Sequence, residues 1–430
     1  MSGTIDEEFS GEDVTIHDEQ RDFDPADIDE PAPASTPDPE DAGLSGLFIV
    51  LGMLGVLAVW SPIVFVLVLA ILFFVFMHEM GHFLTARLTG MKATEFFIGF
   101  GPRIFSFRRG ETEYGLKPIL AGAYVKIIGM NDLEEVDPAD ERRTYRRATY
   151  PRKVLVITAG SLMHFIMAIA LFFGYYAFIG EEKLVSQESW AIATPGQQTA
   201  AEAAGLQEGD RIVSIDGVVV PTFEDLRVVV SERPNETVEI VLNRDGQTIS
   251  TQATLGVNPQ DQTIGYLGVG WIADTYRDKE SIGGAAARSV TEFPMWVGRV
   301  FEGMGMFVQN IGGYVDNVFT APGNQDQIDL ESRPVSVIGA VDVGRQIGVE
   351  AIQWLAIFNI FVGVFNLLPL LPLDGGHLAI ATYERIRSRR GERYVVDVNK
   401  LLPITYAVFL LMVLFGLGAI WLDIANPIRL

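Results

Sequence analysis

The chain has 430 residues, 49% of them hydrophobic, a formal net charge of −23 at pH 7 and no cysteine. Disulfides, thiolate metal sites and a cysteine nucleophile are therefore excluded. No basic patch offsets the acidic balance, so no nucleic-acid partner is expected.

Much of the charge is local. Residues 1–42 hold fifteen Asp or Glu and one basic residue, Arg21, or −14 of the −23. This stretch is also rich in Pro, Ser and Thr, as in "DEPAPASTPDPEDAG". It cannot bury enough apolar surface to order itself and reads as a disordered acidic tail. It lacks the basic start of a signal peptide.

The remaining chain alternates between apolar segments and polar loops. Residues 43–90 form a first transmembrane block. A bilayer core about 30 Å thick needs about 20 helical residues, and this block is longer. "SP" at 61–62 could divide it into two spans, or one tilted helix could start near Leu54. Residues 91–152 are a strand-forming region followed by a basic loop. Further spans are expected at 153–180, at 348–373 and at 401–424. Residues 375–400 form a short basic loop between the last two. The total is four or five spans.

Loop charge sets the orientation. Residues 90–153 carry twelve Lys/Arg and residues 375–401 carry six, whereas the much longer 181–347 carries eleven. Both short loops are expected in the cytoplasm and the long segment outside, in a plasma-membrane protein. Within that long segment, residues 186–257 alternate as strands ("RIVSIDG", "TVEIVLNR", "QTISTQATL") around a short helix, "FEDLRVVVS". The stretch "GLQEGDRIVSIDG" resembles a bacterial-type PDZ domain. In 280–322, Val300, Met304, Phe307, Val308, Ile311 and Val315 recur at helical spacing. They predict an amphipathic segment on the membrane or against the spans.

The first block carries "FVFMHEMGHFL". Ionisable groups in a span are costly and mark function. His78 and His82 are four apart and share a helical face, so both imidazoles can reach one Zn²⁺. Glu79, one residue on, can take a proton from water at that site. Zinc needs a third protein ligand, and the candidate is Asp374 in "FNLLPLLPLDGGH". In the expected topology both motifs reach the cytoplasmic side at similar depth. Pro369 and Pro372 break helical bonding there, and irregular backbone at that depth is tolerated when it lines a wet cavity.

With these motifs in view, the chain resembles the site-2 protease family of intramembrane zinc metalloproteases, in its bacterial PDZ-bearing branch. "HEMGHFLTARLTGM", "FFIGFGPRIFSFRRGETEYGLK", "NLLPLLPLDGGH" and the terminal "DIANPIRL" carry the resemblance, which covers about residues 57–430. It implies His78, His82 and Asp374 as zinc ligands and Glu79 as general base. It also implies cleavage of single-pass membrane proteins, such as anti-sigma factors, after a first cut outside. The implied fold is a multi-pass α-helical membrane protein with a membrane-associated β-hairpin and an inserted extracytoplasmic PDZ-like α+β domain.

The hairpin falls in residues 92–130, where an exposed edge could take an unwound substrate by strand addition. Gly99, Gly101 and Tyr124 are its candidate substrate contacts. In "AGSLMHF", Ser161 and His164 stand where the family has proline and asparagine. His164 could hold substrate backbone as that asparagine would, or be a satisfied buried histidine. Asn366 could hold substrate backbone or join two helices. His377 reads as a supporting group rather than a ligand. The rival function is a non-enzymatic membrane PDZ adaptor with a degenerate metal site, against which the intact His78, Glu79, His82 and Asp374 stand.

Overall fold

The Ser61–Pro62 pair divides the first apolar block. Helix α1 spans Gly43–Trp60, and α2 spans Pro62–Leu88. The Ser61 side chain accepts from the Val64 amide at 3.5 Å. Pro62 occupies the first turn, where its missing N–H is not needed. This is a computed structural model, and it describes residues 43–130, 134–258, 261–320, 334–388, 394–397 and 400–428. The acidic tail expected at 1–42 lies outside them.

Four helices among the described residues are long and apolar enough to cross a membrane: Pro62–Leu88, Tyr150–Ile179, Gly348–Asn366 and Leu402–Ala425. The apolar stretch Ser45–Trp60 is shorter. The architecture is that of a multi-pass helical membrane protein. Large side chains such as Val66, Phe73, Leu411 and Leu417 are exposed on these helices. Lipid accepts them at no cost, because its tails are as apolar as they are.

After α2 comes a mixed sheet rather than the simple hairpin expected. Its strands are β1 (Ala93–Phe100), β2 (Phe105–Arg109), β3 (Thr112–Leu116) and β4 (Ile119–Ile127). Their order is β2-β3-β1-β4. The "RRGE" turn does join β2 and β3 into an antiparallel hairpin. That hairpin then docks in parallel on β1, whose other side pairs with β4. Helix α3 (Tyr150–Gly174) follows, ending in a wider turn over Tyr175–Ile179. Phe83 and Ala86 of α2, Phe96 of β1, Ile127 of β4, and Val156 and Ile157 of α3 form one buried cluster with Ala381.

The module inserted after the second of these long helices is entered and left through ribbons. Strand β5 (Glu181–Leu184) and β6 (Trp190–Ile192) lead in; a short helix α4 (Ala200–Ala203), β7 (Arg211–Ile215), β8 (Val218–Val219), helix α5 (Phe223–Ser231), β9 (Thr237–Arg244) and β10 (Gln247–Thr254) form the body. The sheet order is β10-β9-β7-β8, antiparallel throughout. Ile212, Ile215, Leu226, Ile240, Leu242 and Leu255 are fully buried in its core. Thr222 and Asp225 cap α5 reciprocally. The module runs past the expected end at 257. A two-strand ribbon, β11 (Gly256–Val257) with β12 (Gly265–Tyr266), is followed by β13 (Trp271–Ala273) and β14 (Thr275–Asp278). These last two pair with β6 and β5, tying exit to entry.

The amphipathic segment expected at 280–322 contains three helices among the described residues, α6 (Ile282–Thr291), α7 (Phe293–Gln309) and α8 (Ile311–Thr320). Then come α9 (Val337–Ile347), α10 (Ala351–Asn366), α11 (Asp374–Arg387) and α12 (Leu402–Ala425). The third span thus ends at Asn366, not at Leu373. Asp374 opens a separate helix where a loop was expected from 375. Pro369 and Pro372 account for the break, since neither can donate to a continuing helix.

Inside the module, Arg244 holds Asp210 through two hydrogen bonds of 2.7 Å, and the Gln207 amide adds a third at 2.8 Å. Burial alone would raise the Asp210 pKa; these donors overcome it and hold the carboxyl below its ordinary value. A depressed folded pKa stabilises above the unfolded value of about 3.9 and is lost as pH falls through the lower folded value. Protection of the β9 amides, taken relative to intrinsic exchange at each pH, should therefore fall below about pH 4, and Asp210→Asn should flatten that dependence.

Candidate active site

The site begins with a close approach of two helices. A Cβ on Gly81 would lie 2.6 Å from the Ala159 carbonyl oxygen of α3. A Cβ on Gly160 would lie 2.4–2.7 Å from atoms of both His78 and His82. Real side chains do not fit at such distances, so both glycines are needed for α2 and α3 to meet here. The imidazoles of one helix then lie over the bare backbone of the other.

The third element folds back from the end of α10. A Cβ on Gly375 would fall 2.1–2.3 Å from the Leu367 and Leu368 carbonyl oxygens, so only glycine allows the turn that starts α11. Lys153 pairs with Glu384 at 3.0 Å, and Tyr150 meets Thr382 at 3.2 Å. These contacts moor α11 on α3 and carry Asp374 to the histidines.

The result is a triangle of ligand atoms. His78 Nε2 and His82 Nε2 are 3.1 Å apart, and each lies 3.3 Å from Asp374 Oδ2. The three residues are the metal-competent group of His, Cys, Asp and Glu found among the described residues. His82 Nδ1 donates to the Val156 carbonyl at 2.7 Å, which fixes the tautomer and leaves Nε2 available to a metal. Asp374 Oδ2 and His78 Nδ1 are buried with no hydrogen-bond partner among the described residues. A tetrahedral ion with bonds of about 2.0–2.1 Å has ligand atoms about 3.3 Å apart, so the triangle fits zinc. Two nitrogens and one carboxylate oxygen also suit that ion, with one position left for water.

Glu79 sits beside this triangle, and its Oε2 accepts the Val125 amide of β4 at 3.0 Å. His164 is buried with its ring 5.2 Å from that of His78. Its Nδ1 donates to Asn359 Oδ1 at 2.8 Å, while Asn359 Nδ2 donates to the Leu355 carbonyl at 2.9 Å. It is thus a satisfied histidine that also borders the site. Asn366 ends α10, half-buried, and takes no part in the triangle. His377 is half-buried one helical turn after Asp374.

Gly99 and Gly101 have positive φ, +86° and +96°. A Cβ on Gly99 would reach within 2.5 Å of the Lys117 carbonyl, so its place in the fold is to shape the sheet. Tyr124 stacks on Phe97 and donates to Glu95 at 2.7 Å. Its neighbour Val125, not Tyr124 itself, touches Glu79.

Sequence reasoning passed over Gly81, Gly160, Val125 and Asn359. Asn359 had a signal, since it is an amide inside the apolar run "WLAIFNIFVGVF". The glycines had a weaker one, as small residues on spanning helices. Val125 had none, because its backbone does the work. Gly160→Ala should cut bound zinc below half of the wild-type content while the spans still insert, as measured by elemental analysis of purified protein.

Comparison with known proteins follows the same lines. Residues 66–412 match the family described as Peptidase family M50. Zinc metalloprotease Rip1 of Mycobacterium bovis is 36% identical over 409 residues, covering 84% of this chain and 97% of that protein. Zinc metalloprotease Rip1 of Mycobacterium tuberculosis is 37% identical over 410 residues, with the same coverage. A putative zinc metalloprotease of Rhizobium meliloti, R01501, is 30% identical over 374 residues, covering 81% and 93%.

Proposed function

The chain belongs to peptidase family M50, the site-2 proteases, and we propose that it is a zinc endopeptidase that cuts membrane-spanning segments of single-pass membrane proteins. The observation that carries this reading is the His78–His82–Asp374 triangle with Glu79 beside it, set on helices long and apolar enough to span a bilayer.

His78, His82 and Asp374 would hold the ion. Bound zinc polarises a carbonyl and lowers the pKa of water to about 7. Glu79 accepts the proton of the attacking water as its oxygen bonds the scissile carbonyl carbon. It then delivers that proton to the amide nitrogen as the C–N bond breaks. The intact ligand set speaks against an adaptor with a degenerate centre.

The protein is placed in the plasma membrane, with the basic short loops in the cytoplasm and the zinc site near that face. The module closed by the β5–β14 and β6–β13 ribbons is a PDZ-like domain on the outer side. Anti-sigma factors already trimmed outside are the substrate class. The module acts as a steric filter: the helix-turn stretch "AEAAGLQEGD" has no basic residue before Arg211 to hold a free carboxylate.

Glu79→Gln should retain zinc but lose cleavage of a transmembrane substrate by at least a hundredfold, whereas Asp374→Ala should lose both; normal cleavage by Glu79→Gln would remove the base assignment. Deleting the module should let the enzyme cut substrates whose outer domain is intact. If those stay uncut while trimmed ones slow, the module captures a terminus instead.

A further inference from the structure

The hydrogen bond between Glu79 and Val125 joins the catalytic helix to the edge of a sheet. In the order β2-β3-β1-β4, strand β4 is an edge. Val125 stands opposite Phe96 of β1, yet its amide donates to Glu79 Oε2 and so points away from β1. The N–H and C=O of one strand residue face the same neighbour. The Val125 carbonyl therefore faces the same side as the carboxylate, as do the main-chain groups of Ala123, two residues before. The Val125 side chain has a different task, packing against the cluster around Phe96 and Ile127.

A glutamate side chain has several rotamers to choose from, and a base works only when aimed. An amide donating to a carboxylate is a charge-assisted bond and fixes that aim. Glu79 gains this donor from outside its own helix, so its aim depends on where the sheet edge lies. We propose that the main-chain amide of Val125 is a positioning group for Glu79. The edge strand thereby places the base and an outward carbonyl next to each other. This inference rests on reading Glu79 as the general base.

Proline is tolerated on an edge strand where the N–H faces away from the ladder, so Val125→Pro removes this donor without taking a sheet bond. Purified full-length protein is assayed in lipid vesicles with a transmembrane peptide substrate, and zinc content is measured in parallel. Val125→Pro should keep its zinc and lose at least tenfold in kcat, with KM changed less than about twofold. Val125→Ala, which keeps the amide, should lose no more than about threefold. Wild-type kcat in Val125→Pro, or a rise confined to KM, would overturn the proposal. So would an equal kcat loss in Ala123→Pro, which deletes the next outward amide of the edge. A second measurement does not need the proline variant to fold: hydrogen exchange at the Val125 amide should quicken at least tenfold in Glu79→Ala, and unchanged exchange would overturn the contact. Full activity of Glu79→Gln would instead strike the base assignment, leaving the exchange result to judge the contact by itself.

Discussion

Everything in this molecule turns on bringing three ligand atoms within 3.3 Å of one another from two distant parts of the chain. Two of them come free with helical geometry, since His78 and His82 share a face. The third must arrive from α11, whose start is a folded-back turn. Both arrivals need bare backbone: Gly81 and Gly160 where α2 crosses α3, and Gly375 where the chain reverses. Close packing of this kind is how helices associate in lipid, where no hydrophobic force drives them together. The same glycines that hold the spans together thus build the site.

A second constraint is that polar groups at membrane depth find partners inside the protein. His164, Asn359 and the Leu355 carbonyl form one closed chain of hydrogen bonds between α3 and α10. Buried Asp423 of α12 accepts the Ser336 and Gly339 amides at the start of α9, at 2.7 and 3.1 Å. That carboxylate sits at a helix N-terminus, where the dipole favours it. Tyr314 of α8 donates to the Phe415 carbonyl at 2.7 Å, and a Cβ on Gly418 would strike its hydroxyl. Against these, the ligand set stands out, because Asp374 Oδ2 and His78 Nδ1 are left without such partners.

The module is fastened to the membrane part by charge. Arg277 of β14 reaches Glu350 at 2.8 Å, and Glu350 in turn accepts from Tyr175. Arg288 of α6 binds Glu181 and Glu292 and lies over the Tyr176 ring. Single exposed ion pairs contribute little, but here two arginines knit four elements into one network. Its effect is to fix the direction in which the module leaves α3.

The sequence by itself made most of the spans legible, along with the set His78, Glu79, His82 and Asp374 that the fold brings together. Spans are legible because about 20 apolar residues have one use, and the "HEMGH" spacing is legible because a helix places i and i+4 together. Asp374 was legible by chemistry, as the acid ending an apolar run broken by prolines. Only the tertiary structure decided the rest. The sheet at 93–127 has a parallel pair that local alternation cannot reveal, because pairing partners are set by packing and not by period. The module's last strands are too short to announce themselves and pair with residues far earlier in the chain. The contact of Glu79 with Val125 is carried by a backbone amide, which every residue but proline possesses. No side-chain pattern can mark such a group; it takes on a role only when the fold turns one edge of a sheet toward one helix.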